Sequence, residues 1–447
     1  MNKSDSEKML GLLENENYTE TDDISNANLI ILNSCSVRKH AVDRLDAHIS
    51  DLKKIKRQRP SLIIAVGGCV AQHEKEKLQQ KFPFIDIIFG TFNFHLLPQL
   101  IKEIQKNRHP LVSTLDEPLA YDTIKSKRVS KFHSWITIIT GCSNYCTYCI
   151  VPYVRGTEIS RPVQSILHET EEVVQDGAVA VTLLGQNVDA YGKDLSSKSS
   201  LSELLKKLHD IQNLKCIRFV TSHPKDMTEE LITTVAELPK VGNFFHLPLQ
   251  SGDNAILKLM NRKYNLDDYA KLIDGIKSKM PFVSITSDLI VGFPSETEEQ
   301  FLNSVEAVKR FEFDSVNTAA YSPRPYTAAA KMKDQVPSKE KQARLIYLNQ
   351  IVKEMAYKQN QKFIGQDLEV IVESYSKKKQ TFQSRTFSNK IVHFAPPLLS
   401  EESPSPARGE GGVRWEIGKI IKLHVIKAGA YSLLGEFTAH DGGVRLL

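Results

Sequence analysis

Three cysteines within eight residues, Cys142, Cys146 and Cys149 in "GCSNYCTYCIVPYVRG", stand just past the apolar run "SWITIIT". No other feature constrains the fold as strongly, because the backbone must bring three thiols to one place at the end of a strand. In a reducing compartment such crowding argues for metal or redox chemistry over disulfides. A tetrahedral structural zinc site normally asks for a fourth ligand, whereas three thiolates on a 4Fe-4S cluster leave one iron open to a cofactor. A zinc-binding knuckle or a chance grouping of thiols is the plainer alternative.

The run before the cysteines opens a series of alternating strands and amphipathic helices. Its strands are "SWITIIT", "AVAVTLLG", "KCIRFVTS", "NFFHLPLQ", "FVSITSDLIVG" and "DSVNTAAYS", and six such units predict an incomplete (β/α)6 barrel over residues 131–360. Barrel chemistry lies at the carboxyl ends of the strands, and there the polar residues gather: Cys142, Gln186, Ser222, His223, Gln250, Asp288 and Tyr321.

Residues 1–105 alternate in the same way, with nearly all-apolar strands in "NLIILNSC", "SLIIAVGGC" and "FIDIIFG", which predicts a small doubly wound parallel sheet. Cys35 and Cys69 fall where strands end, the edge on which such sheets hold ligands. Either alone reads as a buried structural thiol. The chain opens on a helix where a first strand is expected. Residues 106–130 read as a linker. From 361 to 447, short strands with Gly turns ("DLEVIVESY", "TFQSRTF", "KIVHF", "KIIKLHVIKA", "YSLLGEFT") predict a small β-barrel, interrupted by a low-complexity insertion at 396–412. Cys216, opening the strand "KCIRF", reads as core.

With 41% hydrophobic and 25% charged residues, the 447-residue chain has the make-up of a globular protein of two or three domains. No apolar stretch is long enough to span a membrane, and "MNKSDSEKM" lacks a signal-peptide core, so a cytoplasmic protein without membrane contact is expected. Net charge is a mild +5. Basic runs at Lys53–Arg59, Lys125–Arg128 and Lys377–Lys379 permit nucleic acid, though each alone reads as a solvated face.

The CxxxCxxC spacing and the aromatic turn after it resemble the radical S-adenosylmethionine (SAM) superfamily. A closer likeness runs over nearly the whole chain: "NSCSVRKHAVDRL", "VGGCVAQ", "FGTFNFHLLPQL", "GCSNYCTYCIVPYVRGTEISRP", "VTLLGQNVDAYG", "RFVTSHP", "HLPLQSG", "MNRKY", "SDLIVGFPSET" and "YSPRPYTAAA" resemble, in order, the methylthiotransferase family. The resemblance implies an amino-terminal methylthiotransferase domain, a radical SAM barrel and a carboxyl-terminal TRAM β-barrel that binds RNA. It also implies two 4Fe-4S clusters. The cluster on Cys142, Cys146 and Cys149 has its open iron chelated by SAM, and passes an electron that cleaves SAM to a 5'-deoxyadenosyl radical.

By the same resemblance Gly185, Gln186 and Asn187 meet the methionine group of SAM, with Ser222, His223, Gln250 and Asp288 as further cofactor contacts. Taken singly, "LLGQN" is a Gly-bearing turn, His223 and His246 are structural histidines, Asp288 caps a loop and Arg155 forms a salt bridge. Cys35 and Cys69 match two of the three ligands of an auxiliary cluster that carries or donates sulfur. The third family cysteine lies just before the "MN..DSE" motif with which this sequence begins, so either the start lies upstream or that cluster is impaired. Cys216 does not replace it.

The implied substrate is N6-isopentenyladenosine beside the tRNA anticodon, methylthiolated at C2, with a flavodoxin or ferredoxin as electron donor and a monomeric enzyme. Rival substrates are threonylcarbamoyl-adenosine of tRNA and an aspartate of a ribosomal protein; a homologue that binds tRNA without catalysis is a rival of another class. Lys377–Lys379, Arg385 and Phe387 are candidate RNA contacts. Two departures bear on efficiency: the 396–412 insertion, and Tyr326, which stands where the family's "RPGT" stretch carries Gly.

Overall fold

Branched apolar runs bounded by Gly or polar residues set the strands. The structure, a computed structural model, describes residues 1–36, 39–115, 126–395 and 417–437. Its first module runs α1 (Asn2–Glu14), β1 (Leu29–Ser34), α2 (Lys39–Gln58), β2 (Ile63–Gly68), α3 (Cys69–Glu74), α4 (Glu76–Lys81), β3 (Ile87–Phe89), α5 (Leu97–Asn107) and β4 (Leu111–Ser113). The four strands pair in parallel in chain order. Successive side chains of a strand point to opposite faces. Ile63 and Ala65 therefore meet α1 and α5 through Met9, Leu13 and Ile101, while Ile64 and Val66 meet α2 and α4 through Leu45, Ile49 and Leu78. The doubly wound sheet is as expected, but β4 comes from the stretch read as linker. At three residues it is too short to show a period in sequence.

The second module continues with β5 (His133–Thr137), β6 (Ile139–Thr140), α6 (Val151–Arg155), β7 (Ile159–Ser160), α7 (Val163–Gln175), β8 (Ala180–Leu184), α8 (Leu201–His209), β9 (Cys216–Phe219), α9 (Glu229–Glu237), β10 (Phe244–His246), α10 (Asn254–Leu259), α11 (Leu266–Lys279), β11 (Ser284–Val291), α12 (Glu298–Phe311) and β12 (Ser315–Ala320). The six expected barrel strands form parallel sheets β5-β8-β9 and β10-β11-β12, joined by a bridge between Ile217 and Val241. Helix starts follow the sequence: Ser200 with Glu203, Asn265 with Asp268 and Thr297 with Gln300 form capping boxes. The core lies between strands and helices, around Leu183, Ile217, Phe245, Ile285 and Leu289.

α13 (Ser338–Gln361) leads to a closed barrel of β13 (Asp367–Ser376), β14 (Thr381–Thr386), β15 (Ile391–Phe394), β16 (Ile420–Ala428) and β17 (Leu433–Glu436), in the order β13-β14-β15-β17-β16. It docks at the amino ends of the large module's strands, where Ile371 packs on Ala180 and Cys216. Cys216 is thus core, as read. Two candidate RNA contacts do not stand free: Phe387 packs in this seam with its carbonyl accepting from Arg218 Nε at 3.3 Å, and Arg385 is tied to Glu373 at 2.6 Å. Lys377–Lys379 are exposed on the β13–β14 turn. The 396–412 insertion lies outside the described residues. Of the basic run on α2, Lys56 pairs with Asp86 at 2.7 Å and Arg59 donates to the Ser25 carbonyl at 2.6 Å, the structural role such runs usually have. Among the described residues no helix is long and apolar enough to cross a membrane.

Candidate active site in the crevice between the two α/β modules

Backbone hydrogen bonds run strand to strand along the carboxyl edge of the large module and fix its loops side by side. Ile138 N donates to Leu184 O, Val188 N to Thr221 O, Ser222 N to His246 O, Gln250 N to Asp288 O and Tyr321 N to Val291 O, at 2.8 to 3.2 Å. The predicted residues therefore share one edge. Asp288 differs in detail: it lies within β11, alternating away from the core residues Leu289 and Val291, and it faces His246 Nε2 at 3.3 Å and Asn317 Nδ2 at 2.9 Å.

The cysteine loop opens at Gly141, whose φ is +77° and whose missing Cβ would lie 1.8 Å from the Thr157 carbonyl oxygen, so only glycine fits there. Cys142 N then donates to Gly156 O at 3.0 Å and Cys149 N to Cys146 O at 2.9 Å. The segment "LMNRKY" clamps the loop from outside. Thr147 N and Oγ1 donate to the Met260 and Leu259 carbonyls, and Asn261 Nδ2 donates to the Tyr145 carbonyl at 3.0 Å.

Arg262 is buried and held by Tyr264 Oη and the Pro248 carbonyl, both at 2.9 Å, which sets its Nη1 3.4 Å from Cys146 Sγ. The sequence reading missed this residue, although "MNRKY" was among the resembling motifs. Burial pushes the Cys149 thiol up to about 12 and raises that of Cys142, so both are neutral until a metal displaces the proton. Among the described residues no three His, Cys, Asp or Glu side chains are gathered so as to hold a metal ion. Cys142, Cys146 and Cys149 are free of disulfides, and the fixed Arg262 guanidinium at Cys146 suits a site whose thiolates hold an anionic iron-sulfur cluster.

Beyond β8, Gly185 lets the chain pass Ile139, whose Cγ2 would lie 2.4 Å from a Cβ. Gln186 Oε1 and Asn187 Oδ1 are buried without a hydrogen-bond partner among the described residues, while the Asn187 amide donates to Asp226 at 2.7 Å. Buried acceptors without donors are costly unless a ligand supplies them, and an ammonium group fits. Asp189, also missed, accepts from Ser222 Oγ at 2.9 Å and His223 N at 3.0 Å. Burial, and then Arg262, lower the His223 imidazole to about 2, so this ring is neutral, and its Nδ1 accepts from Lys225 N at 3.2 Å.

Burial raises the Asp189 carboxyl to about 7 against the two hydrogen bonds, from an ordinary 3.8. Between those values the folded chain binds a proton that the unfolded chain has lost. The resulting stabilisation is full below pH 3.8 and is lost as pH rises to about 7. Wild type should lose stability across this window, by up to about 1.4 kcal/mol per pH unit, relative to Asp189→Asn. Thermal unfolding of both proteins as a function of pH checks it; parallel curves would mean that Asp189 is ionised in the fold.

The small sheet carries two further thiols at its carboxyl edge, one of them packed against the segment after Cys149. Ser34 is paired with Gly68, so Cys35 and Cys69 leave adjacent strand ends. Cys69 packs on Ile150 and Val154, directly after Cys149, and Arg324 lies close enough to Cys35 for their charges to interact, opposing the fall in pKa that burial imposes on the arginine. Arg155 does form the salt bridge of the plainer reading, to Asp5 at 2.6 Å, and this pair ties α6 to α1.

Residues 1–90 match the Uncharacterized protein family UPF0004, and residues 136–308 match the Radical SAM superfamily. The tRNA-2-methylthio-N(6)-dimethylallyladenosine synthase of Caldicellulosiruptor saccharolyticus is 44% identical over 88% of this chain and 84% of its own length. Those of Thermoanaerobacter pseudethanolicus and Clostridium tetani are 40% and 42% identical over 98% of this chain, covering 90% and 94% of theirs. Among solved structures, the radical SAM methyltransferase TsrM of Kitasatospora setae, with cobalamin and a [4Fe-4S] cluster bound, superposes with a TM-score of 0.55 at 14% identity over 73% of each chain, a likeness of fold alone.

Proposed function

The chain belongs to the radical SAM tRNA methylthiotransferases, and from that premise we propose that it converts N6-dimethylallyladenosine of tRNA to the 2-methylthio nucleoside in the crevice between its two α/β modules. The observation that supports this reading most is the packing of Cys69 on Ile150 and Val154, which sets a thiol of the first module against the segment that follows Cys149.

In this reading Cys142, Cys146 and Cys149 hold the SAM-binding 4Fe-4S cluster, and Cys35 and Cys69 are ligands of the auxiliary one. When bound, the clusters and SAM supply the one-electron chemistry that opens the C2–H bond, together with the sulfur and methyl group that replace the hydrogen. The chain's own residues do the rest. Arg262 balances thiolate charge through Cys146, and the orphan acceptors of Gln186 and Asn187 receive the SAM ammonium. Gly185 lets Ile139 pack against the turn that carries them, Asp189 fixes Ser222 and His223, and the Gln250 backbone ties the strand that carries Asp288. The adenine leaves the stack of the anticodon loop to enter, at a lower cost than from a duplex. Exposed Lys377–Lys379 attract the RNA, a flavodoxin- or ferredoxin-type protein delivers the electron, and the enzyme works as a cytoplasmic monomer.

Expression in a bacterial host lacking its own methylthiotransferase tests the reading. Mass spectrometry of digested tRNA should show 2-methylthio-N6-isopentenyladenosine. Methylthiolated threonylcarbamoyl-adenosine or ribosomal aspartate appearing in its place, or no modified product with the chain folded and iron-loaded, would overturn it.

A further inference from the structure

The crevice is flanked by exposed aromatic surface that no step above uses. Tyr145 of the cysteine loop, Tyr153 of α6 and Tyr326 are 50%, 48% and 58% exposed. Their rings are contiguous: Tyr145 and Tyr153 lie 6.4 Å apart edge-on, and Tyr153 and Tyr326 lie 6.0 Å apart, inclined by 33°. Two of the three are held at positive φ, Tyr145 at +45° and Tyr326 at +68°. Such angles are unfavourable for a bulky side chain and persist only where the surroundings impose them.

Tyr326 occupies the second central position of a turn with Pro325 before it, closed by Thr327 N donating to Arg324 O at 3.3 Å. A turn of this kind ordinarily takes glycine there. A large ring at that point, left in water, is not explained by packing.

We propose that Tyr145, Tyr153 and Tyr326 form a stacking platform for the unpaired nucleobases that flank the target adenosine. The proposal rests on the tRNA reading above. Three observations favour RNA as the occupant. The platform adjoins the cysteine loop, since Tyr145 lies between Cys142 and Cys146 and Tyr153 lies on α6, which begins two residues after Cys149. Its three rings are about half exposed, and aromatic rings stack on any base regardless of sequence. Exposed lysines, Lys258, Lys263 and Lys331, lie on the segments that brace the cysteine loop, through the Leu259 and Met260 carbonyls and through Ala329 N donating to Thr147 O at 2.8 Å. A flipped-out base leaves its neighbours unstacked, and the platform restores one stacking contact next to the opening.

The test uses the full, cluster-loaded chain and an isopentenylated anticodon stem-loop with 2-aminopurine next to the target adenosine. Tyr326→Gly relieves the backbone and removes only the ring, so it does not threaten folding. It should weaken stem-loop binding by about 5- to 100-fold and restore 2-aminopurine fluorescence that the wild type quenches, while Tyr326→Phe stays within about twofold of wild type. Equal binding and quenching by wild type and Tyr326→Gly would overturn the proposal and leave the tRNA reading standing, as it would if the platform received a protein segment. Equal losses in Tyr326→Gly and Tyr326→Phe would overturn it in favour of a hydroxyl hydrogen bond. Failure of the wild type to bind the stem-loop at all would remove the tRNA reading and the platform with it.

Discussion

Cys149→Ser is expected to lose about four irons per chain after anaerobic reconstitution, together with all reductive cleavage of SAM. The effect is large because nothing near this position can replace a thiolate. Cys149 is half-buried and its loop is pinned by hydrogen bonds to the segment from Leu259 to Asn261, so the backbone cannot bring in another donor. Serine's hydroxyl would have to lose its proton against the same burial that already pushes the thiol up to about 12. Removing a ligand outright should therefore exceed the roughly 10- to 100-fold loss expected from removing a group that merely orients one. Cys35→Ser, at the end of β1, should spare SAM cleavage and abolish methylthiolation, and Cys216→Ser, beneath the carboxyl-terminal barrel, should spare both. Iron analysis and liquid chromatography of 5'-deoxyadenosine decide it; a Cys149→Ser protein with full iron and undiminished SAM cleavage would remove Cys149 from the cluster.

Much of this arrangement is legible in the sequence because local pattern and function coincide. "LIILNS", "IIAVGG" and "AVTLL" are strands by their branched apolar residues, and each ends next to a residue of the site: Cys35, Cys69 and Gly185. Once strand ends are known, parallel pairing puts Cys35 and Cys69 on one edge of the small sheet, and Gly185 on the corresponding edge of the large module. What escapes are contacts between segments far apart in the chain. Arg262 reaches Cys146 across 116 positions, and nothing local in "MNRKY" marks its arginine as more than a surface charge. Asp189 looks like a turn residue until Ser222 and His223 are seen to be held by it. Phe387 and Arg385 show the reverse error: aromatic and basic residues in a small barrel suggest RNA, but whether a ring is free depends on what docks against it, and here the large module does. Tyr326 departs from the glycine of the resembling motif, but its contact with Tyr153 has no counterpart in sequence spacing.

Arg155→Ala is expected to loosen the first module from the barrel by about 3–5 kcal/mol. The Arg155 and Asp5 side chains are 3% and 7% exposed, and they meet across the boundary between α6 and α1 at 2.6 Å. Removing the cation leaves the buried Asp5 carboxylate without its ion-pair partner, and that desolvated charge, more than the lost attraction, sets the magnitude. The chain has several cooperative units, so the effect belongs to the joint and not to a single global transition. Amide exchange in α1 should quicken by roughly 10²- to 10³-fold while β8 and β9, deep in the large module, keep their protection. The double variant Arg155→Met with Asp5→Leu separates the two causes: with no charge left to bury, it should recover most of the protection. Because α6 begins two residues after Cys149 and carries Val154 onto Cys69, the single variant should also separate the two sets of thiols, losing methylthiolation while SAM cleavage persists. Unchanged α1 exchange in Arg155→Ala would mean that the apolar contacts of Cys69, Ile150 and Val154 hold the modules together without the ion pair.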